Sequence, residues 1–301
     1  MADIKLFKID GSSVIEQHET SYKFEKNLQA VIEKNMKQMF NITFLYHEYT
    51  VRGDDGQDGR MDSIGIDENN CPVIFEYKKV ENENVINQGL FYLDWLLNHK
   101  NDFYVLVQKV LGEKKTKEIE WSNPRVICIA PDFSKYDGRA INLMPQNIEL
   151  IKWKLFNNDL LMFEYFKKSN KTVSPKNTTS DVVPNPTFAD KLVNASQKAK
   201  DLLESLDQYL IEGISDDITS SELKHYRAYK RMKNFACVVI EKEKVLLFLS
   251  IDPKKYTVEE GFSRDMSNKG HYGTGDFGIT IKDNKDLEKS KYYIKEAYES
   301  N

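Results

Sequence analysis

The sequence predicts an α/β protein in two parts: a mixed central sheet flanked by helices, then a smaller α+β domain. Three observations carry this. In the first half, an amphipathic helical stretch is followed by three strand-like runs and a second helical stretch; a segment rich in Pro, Ser, Thr and Asn then divides the chain; and in the second half a strand hairpin lies between two helices.

Helical spacing comes first, over Tyr22 to Phe40, where Phe24, Leu28, Val31, Ile32, Met36 and Met39 fall near a 3.6-residue period. Strands are predicted at Ile42 to Val51, Arg60 to Ile66 and Pro72 to Lys78, the last two joined by the turn-forming segment Asp67 to Asn70. Asn84 to Asn98 returns to helical spacing. Further strands are expected at Phe103 to Val110, Arg125 to Ile129 and Ile148 to Trp153, with a short helix between the last two. The stretch Lys167 to Pro186 has linker composition, which sets the expected organisation at 1–167, a linker at 168–187, and 188–301. Beyond it a long amphipathic helix is expected from about Phe188 to Gly213, then strands at Phe235 to Ile240, Val245 to Ile251 and Phe277 to Ile281. A closing helix runs from Asp286 to about Ala297.

The bulk numbers agree with two folded units. A chain of 301 residues with 40% hydrophobic and 30% charged side chains has enough apolar surface for a core, which excludes a disordered protein. No apolar run approaches the roughly 18 residues of a membrane span, and the N-terminus has no basic and apolar leader pattern, so a cytoplasmic protein without membrane association is expected. Cys71, Cys128 and Cys237 lack the spacing of a disulfide framework or a zinc site. The net charge of -4 does not advertise nucleic-acid binding, although a catalytic cleft needs only local positive potential.

One segment carries chemistry. In GRMDSIGIDENNCPVIFEYKK, Asp62 precedes Glu76 by a strand, a turn and a strand, and Lys78 stands two residues after Glu76. Residues two apart on a strand share a face, so the turn brings three ionisable groups together. Two carboxylates and a carbonyl suffice for a hard divalent cation, and a neighbouring lysine can orient or deprotonate water. Glu-x-Lys recurs at Glu113 to Lys115 and Glu222 to Lys224 in polar surroundings, so specificity comes from the apolar run Val73-Ile74-Phe75 leading into Glu76. On spacing alone, an exposed ion-pair cluster explains the three residues equally well.

Gly59, Arg60, Met61 and Asp62, then Glu76-Tyr77-Lys78, then Gln88 and Tyr92, resemble the RecB-like branch of the PD-(D/E)XK nuclease superfamily. The resemblance covers roughly residues 20 to 165. It implies a restriction-endonuclease-like fold and an endo- or exonuclease dependent on Mg²⁺ or Mn²⁺; it does not fix duplex, branched or single-stranded DNA or RNA as the substrate, and DNA is expected ahead of RNA. It further implies that Asp62, Glu76 and the Tyr77 carbonyl bind metal, that Lys78 acts on the water, and that Glu25 on the first helix is a candidate further ligand. Gln88, Tyr92 and Arg60 are the candidate nucleic-acid contacts. The bland alternatives are a cap or core contact for Gln88 and Tyr92, a solvated residue for Glu25, and a binding module that retains the nuclease fold without turnover.

The second half, through KNFACVVIEKEKVLLFLSIDP and FSRDMSNKGHYGTGDFGITI, resembles a domain of bacterial proteins catalogued as predicted transport proteins. No membrane span or amphipathic anchor supports transport. Basic and aromatic residues in LKHYRAYKRMKNF make Lys230 and Arg231 candidates for substrate contact, against a salt-bridged surface as the alternative. GHYGTGDF lacks the strand-to-helix setting of a phosphate loop and reads as a turn around His271. A homo-oligomer is compatible with all of this.

Overall fold

The computed structural model describes residues 4–20, 25–52, 56, 58–78, 85–168, 186–215 and 217–301, with the side chains of 25–27 excepted. Strands β1 (Leu6–Asp10) and β2 (Ser13–Gln17) form a separate two-stranded hairpin. After helix α1 (Glu25–Phe40), strands β3 (Thr43–Val51), β4 (Gly59–Ile66) and β5 (Pro72–Tyr77) make an antiparallel meander. Helices α2 (Val85–Asn98), α3 (Lys100–Leu111) and α4 (Glu113–Thr116) lead to β6 (Arg125–Ala130), which is parallel to β5. Helix α5 (Lys135–Leu143) connects to β7 (Asn147–Phe156), parallel to β6, and β8 (Leu160–Lys168) returns antiparallel. The result is a mixed six-stranded sheet in the order β3-β4-β5-β6-β7-β8.

Two apolar layers close this sheet. Leu28, Ile32, Met36 and Phe40 recur every four residues on α1 and pack on Val73, Phe75, Ile127, Ile129 and Ile151. On the other face, Ile86, Leu93 and Leu96 of α2 and Phe103, Leu106 and Val107 of α3 meet Ile64, Ile74, Val126 and Cys128. The two central strands, β5 and β6, are buried along their whole length, which is why they read as continuous apolar runs rather than alternating ones. Helix α2 lies close to β6: a Cβ on Gly89 would come within 2.5 Å of Val126 Cγ1.

Phe103 to Val110 is not a strand. It lies inside α3, where Phe103, Leu106 and Val107 follow helical spacing and supply the buried stripe, so the next strand of the sheet is β6. The β1–β2 hairpin and β8 had no expectation attached to them.

The second half begins with α6 (Phe188–Asn194), α7 (Gln197–Gln208) and a π-type turn at Tyr209–Gly213. The single long helix expected here is broken at Ala195, which is extended, and restarted by Ser196, whose Oγ accepts the Ala199 N–H. Strands β9 (Thr219–Glu222), β10 (Arg227–Lys230), β11 (Asn234–Ile240), β12 (Val245–Leu249), β13 (Ser263–Asp265) and β14 (Phe277–Ile281) form an antiparallel sheet ordered β13-β14-β12-β11-β10-β9. Helix α8 (Asn284–Glu299) closes the chain, and α7 and α8 pack on one face. Residues 169–185 of the expected linker lie outside the described residues.

The two sheets meet through polar side chains. The turn between β4 and β5 docks on the second half: Asn69 Oδ1 accepts from Asn234 Nδ2 at 2.7 Å and from Tyr226 OH at 2.8 Å, and Glu68 Oε1 accepts the Asn234 N–H at 2.9 Å. Beside it, buried Glu149 of β7 accepts from Arg125 and Tyr165, each at 2.8 Å, and from Lys230. Burial alone would push the Glu149 carboxyl up, but Lys230, Arg125 and Lys168 together hold it well below the usual carboxylate range.

Candidate active site

The β4–β5 ladder ends at Ser63 and Phe75, and Asp62 and Glu76 are the residues that would pair next. The strands part there. Their side chains take over from the main chain: Asp62 Oδ2 accepts the Tyr77 N–H at 2.9 Å, and Glu76 Oε1 accepts the Asp62 N–H at 3.3 Å. One oxygen of each carboxylate is thereby fixed by a main-chain amide. Glu76 is only 2% exposed. Burial pushes both carboxyls up, and for Glu76 the Asp62 charge adds to the effect. Half-buried Lys78 lies near enough for its positive charge to oppose both shifts, and its N–H is anchored on Ile129 O at 2.9 Å.

Helix α1 braces this pair from the opposite face of the sheet. Gln29 Nε2 donates to the Asp62 carbonyl at 2.9 Å, and Glu33 Oε1 accepts from Ser63 Oγ at 2.6 Å. His47 Nδ1 stands 2.9 Å from Glu33 Oε1, and this hydrogen bond raises the imidazole pKa above its ordinary value. None of Gln29, Glu33 and His47 stands out in the sequence; the one available signal is that Gln29 and Glu33 lie one turn apart on an amphipathic helix.

Helix α2 supplies a second brace. The Tyr92 OH accepts the Arg60 N–H at 3.1 Å, and Tyr92 is 5% exposed, so it holds β4 in place and offers little surface. A Cβ on Gly59 would lie 2.7 Å from Tyr92 Cε1, which accounts for glycine at the start of the motif. Gln88, one turn earlier on α2, is exposed. Arg60 is exposed and pairs with Glu48 at 3.0 Å. Glu48, also unanticipated, stands opposite Asp62 in the β3–β4 register with φ of 51°, and its charge adds to the upward shift of the Asp62 carboxyl.

Of the expected site residues, Asp62, Glu76, Tyr77, Lys78, Arg60 and Tyr92 therefore come together, while Gln88 is exposed on α2. The Glu25 side chain lies outside the described residues, although the residue is the first of α1. Lys230 and Arg231 stand elsewhere. The Lys230 ammonium is buried against Glu149 and has no access to a phosphate, and Arg231 pairs with Asp217 at 2.8 Å while covering the Tyr298 ring.

The residues fit a divalent cation through two adjacent carboxylates, the hard oxygen donors such an ion takes, with a lysine nearby. Mg²⁺ commonly takes only one or two protein carboxylates and completes its shell with water and substrate. Among the described residues no group of three His, Cys, Asp or Glu side chains forms a fuller cage. No described helix is long and apolar enough to cross a membrane.

Comparison with known proteins gives three kinds of likeness. Residues 188–301 match the model of a family described as a domain of unknown function, DUF5655. Over 305 aligned residues the chain is 26% identical to a Haemophilus influenzae protein described as uncharacterized, covering 98% of this chain and 99% of that one. Among solved structures it is similar to a repair endonuclease from Pyrococcus abyssi, with 19% identity and a TM-score of 0.29 over 46% of this chain and 50% of that chain. A complex of EndoMS with double-stranded DNA gives 16% identity and a TM-score of 0.26 over 45% of this chain and 47% of that chain. The chain thus spans about half the length of those two structures. None of these descriptions names a transport activity.

Proposed function

We propose that the chain is a metal-dependent nuclease that hydrolyses phosphodiester bonds, with DNA as substrate, at the site formed by Asp62, Glu76 and Lys78. The observation that carries this reading is the crosswise tie between β4 and β5. Two carboxylates at the point where two strands part, Glu76 buried and Asp62 half-buried, are costly to ionise together unless positive charge offsets them. An exposed ion-pair cluster would need no such arrangement, because surface charges are already stabilised by water.

In this reading Asp62, Glu76 and the Tyr77 carbonyl hold the cation, and Glu25 is a candidate further ligand. When bound, the cation supplies neutralising charge at the phosphate and acidifies a water. Lys78 orients that water or accepts its proton. Arg60 and Gln88, both exposed, meet the nucleic-acid backbone, whereas Tyr92 keeps β4 in position.

The test is a cleavage assay on single-stranded, duplex and branched DNA and on RNA, with and without Mg²⁺ or Mn²⁺. The wild type should cut at least one DNA form only with metal, and Asp62→Ala and Lys78→Ala should lose that activity while keeping their fold. Equal cleavage by all three proteins sinks the proposal. Binding of DNA without cleavage by the wild type would favour a nucleic-acid-binding module on the same fold.

A further inference from the structure

The β1–β2 hairpin is held at its base, and its outer strand β1 is exposed along its length. At the base, the Thr20 N–H donates to Leu155 O at 2.9 Å, the Asn157 N–H donates to His18 O at 3.0 Å, and Lys154 pairs with Glu19 at 2.6 Å. Beyond that point all of β1 is exposed, and the hairpin forms no sheet with any other described strand. Its ladder places Ile9 across from Val14, exposed by 76% and 64%, with Phe7 on the same face. A two-stranded hairpin is marginal in water without a covered apolar face, and a bare apolar edge strand is a template for another strand. Something of apolar character is therefore expected to cover it.

The charges indicate what that is. Lys5, Lys8, Asp10 and Glu16 of the hairpin sum to zero, so nothing here attracts a polyanion or a strongly charged partner. A second copy of the same edge does fit. When two identical strands pair antiparallel about a two-fold axis normal to the sheet, residues of like parity face each other. Centred on Lys8 or Asp10, the pairing sets like charges opposite. Centred on Phe7, it leaves Lys8 facing Leu6. Centred on Ile9, it packs Ile9 on Ile9 and sets Lys8 of each copy against Asp10 of the other, so that both charge pairs are satisfied at once.

We propose that this hairpin joins two copies of the chain edge to edge through β1, in antiparallel register about Ile9. The contact is independent of the nuclease reading, since none of its residues lies at that site. It is smaller than a standard protein interface, so the dimer should be concentration-dependent.

The test is sedimentation velocity on the full chain over roughly 1–100 μM, a range suited to modest interfaces. The wild type should pass from monomer to dimer. Asp10→Lys sets lysines together and should weaken association by about tenfold or more. The swapped variant Lys8→Asp/Asp10→Lys should recover it. Both positions are exposed, so the fold should be unchanged by circular dichroism. A wild type that stays monomeric throughout, a dimer indifferent to Asp10→Lys, or a swap that fails to restore association each overturns the proposal.

Discussion

Asp62 and Glu76 stand as cross-strand neighbours yet share no ladder bond: the Asp62 carboxylate accepts the amide that follows Glu76, and the Glu76 carboxylate accepts the amide of Asp62. The same two groups thus hold the strand ends together and, in the proposed function, also bind the cation. This double duty has measurable consequences.

Both carboxyls are pushed up by burial, whereas in an unfolded chain they ionise near about 4. The folded protein therefore keeps more protons than the unfolded one as pH rises through that window, and stability falls over it. Neutral Asp62→Asn or Glu76→Gln should melt higher than wild type in metal-free buffer at neutral pH, by roughly 2–4 °C for about 1 kcal/mol gained. Mg²⁺ should raise the wild-type melting temperature and leave the variants unmoved. Scanning calorimetry with and without chelator decides this; lower melting for both variants would count against the electrostatic account.

His47 should titrate above 6.5 because Glu33 accepts its hydrogen bond. Proton NMR of the imidazole should show that midpoint fall on Glu33→Gln. No change would mean that the two side chains do not meet in solution.

Lys230→Ala should destabilise the protein by about 3–5 kcal/mol, since it strips one cation from the buried Glu149 carboxylate. Denaturant melts check the size of the effect, and Lys230→Met/Glu149→Gln should recover much of it. A small loss of stability with a reduced salt dependence of DNA affinity would instead mark Lys230 as a phosphate contact.

Gly89→Ala tests how closely α2 sits on the sheet. Alanine favours helix by about 1 kcal/mol, but overpacking against Val126 costs about 1–3 kcal/mol, so net destabilisation is expected. Adding Val126→Ala should relieve part of it. A more stable Gly89→Ala protein would contradict the close approach.

Strand β5 was legible because a wholly buried strand leaves an unbroken apolar run ending in a charge, and β14 because Gly-rich and charged segments bracket it. Helix α3 was not, since Phe103 to Val110 is short and apolar enough for either structure, and only its packing on α2 and β3 selects the helix. That Asp62, Glu76 and Lys78 approach one another could be read from spacing, though not their role, whereas the approach of Glu48 could not. Its place opposite Asp62 depends on the β3–β4 register, including the irregularity between Phe44 and Tyr46. The burial of Lys230 was equally hidden, because a lysine in a basic run looks solvated until another element supplies Glu149.

Anomalous diffraction from crystals soaked in Mn²⁺ tests the central claim most directly. The account predicts a peak between the Asp62 and Glu76 carboxylates, within coordinating distance of the Tyr77 carbonyl. A site without such density, with the Lys78 ammonium seated between the two carboxylates instead, would contradict it and leave an ion-pair cluster.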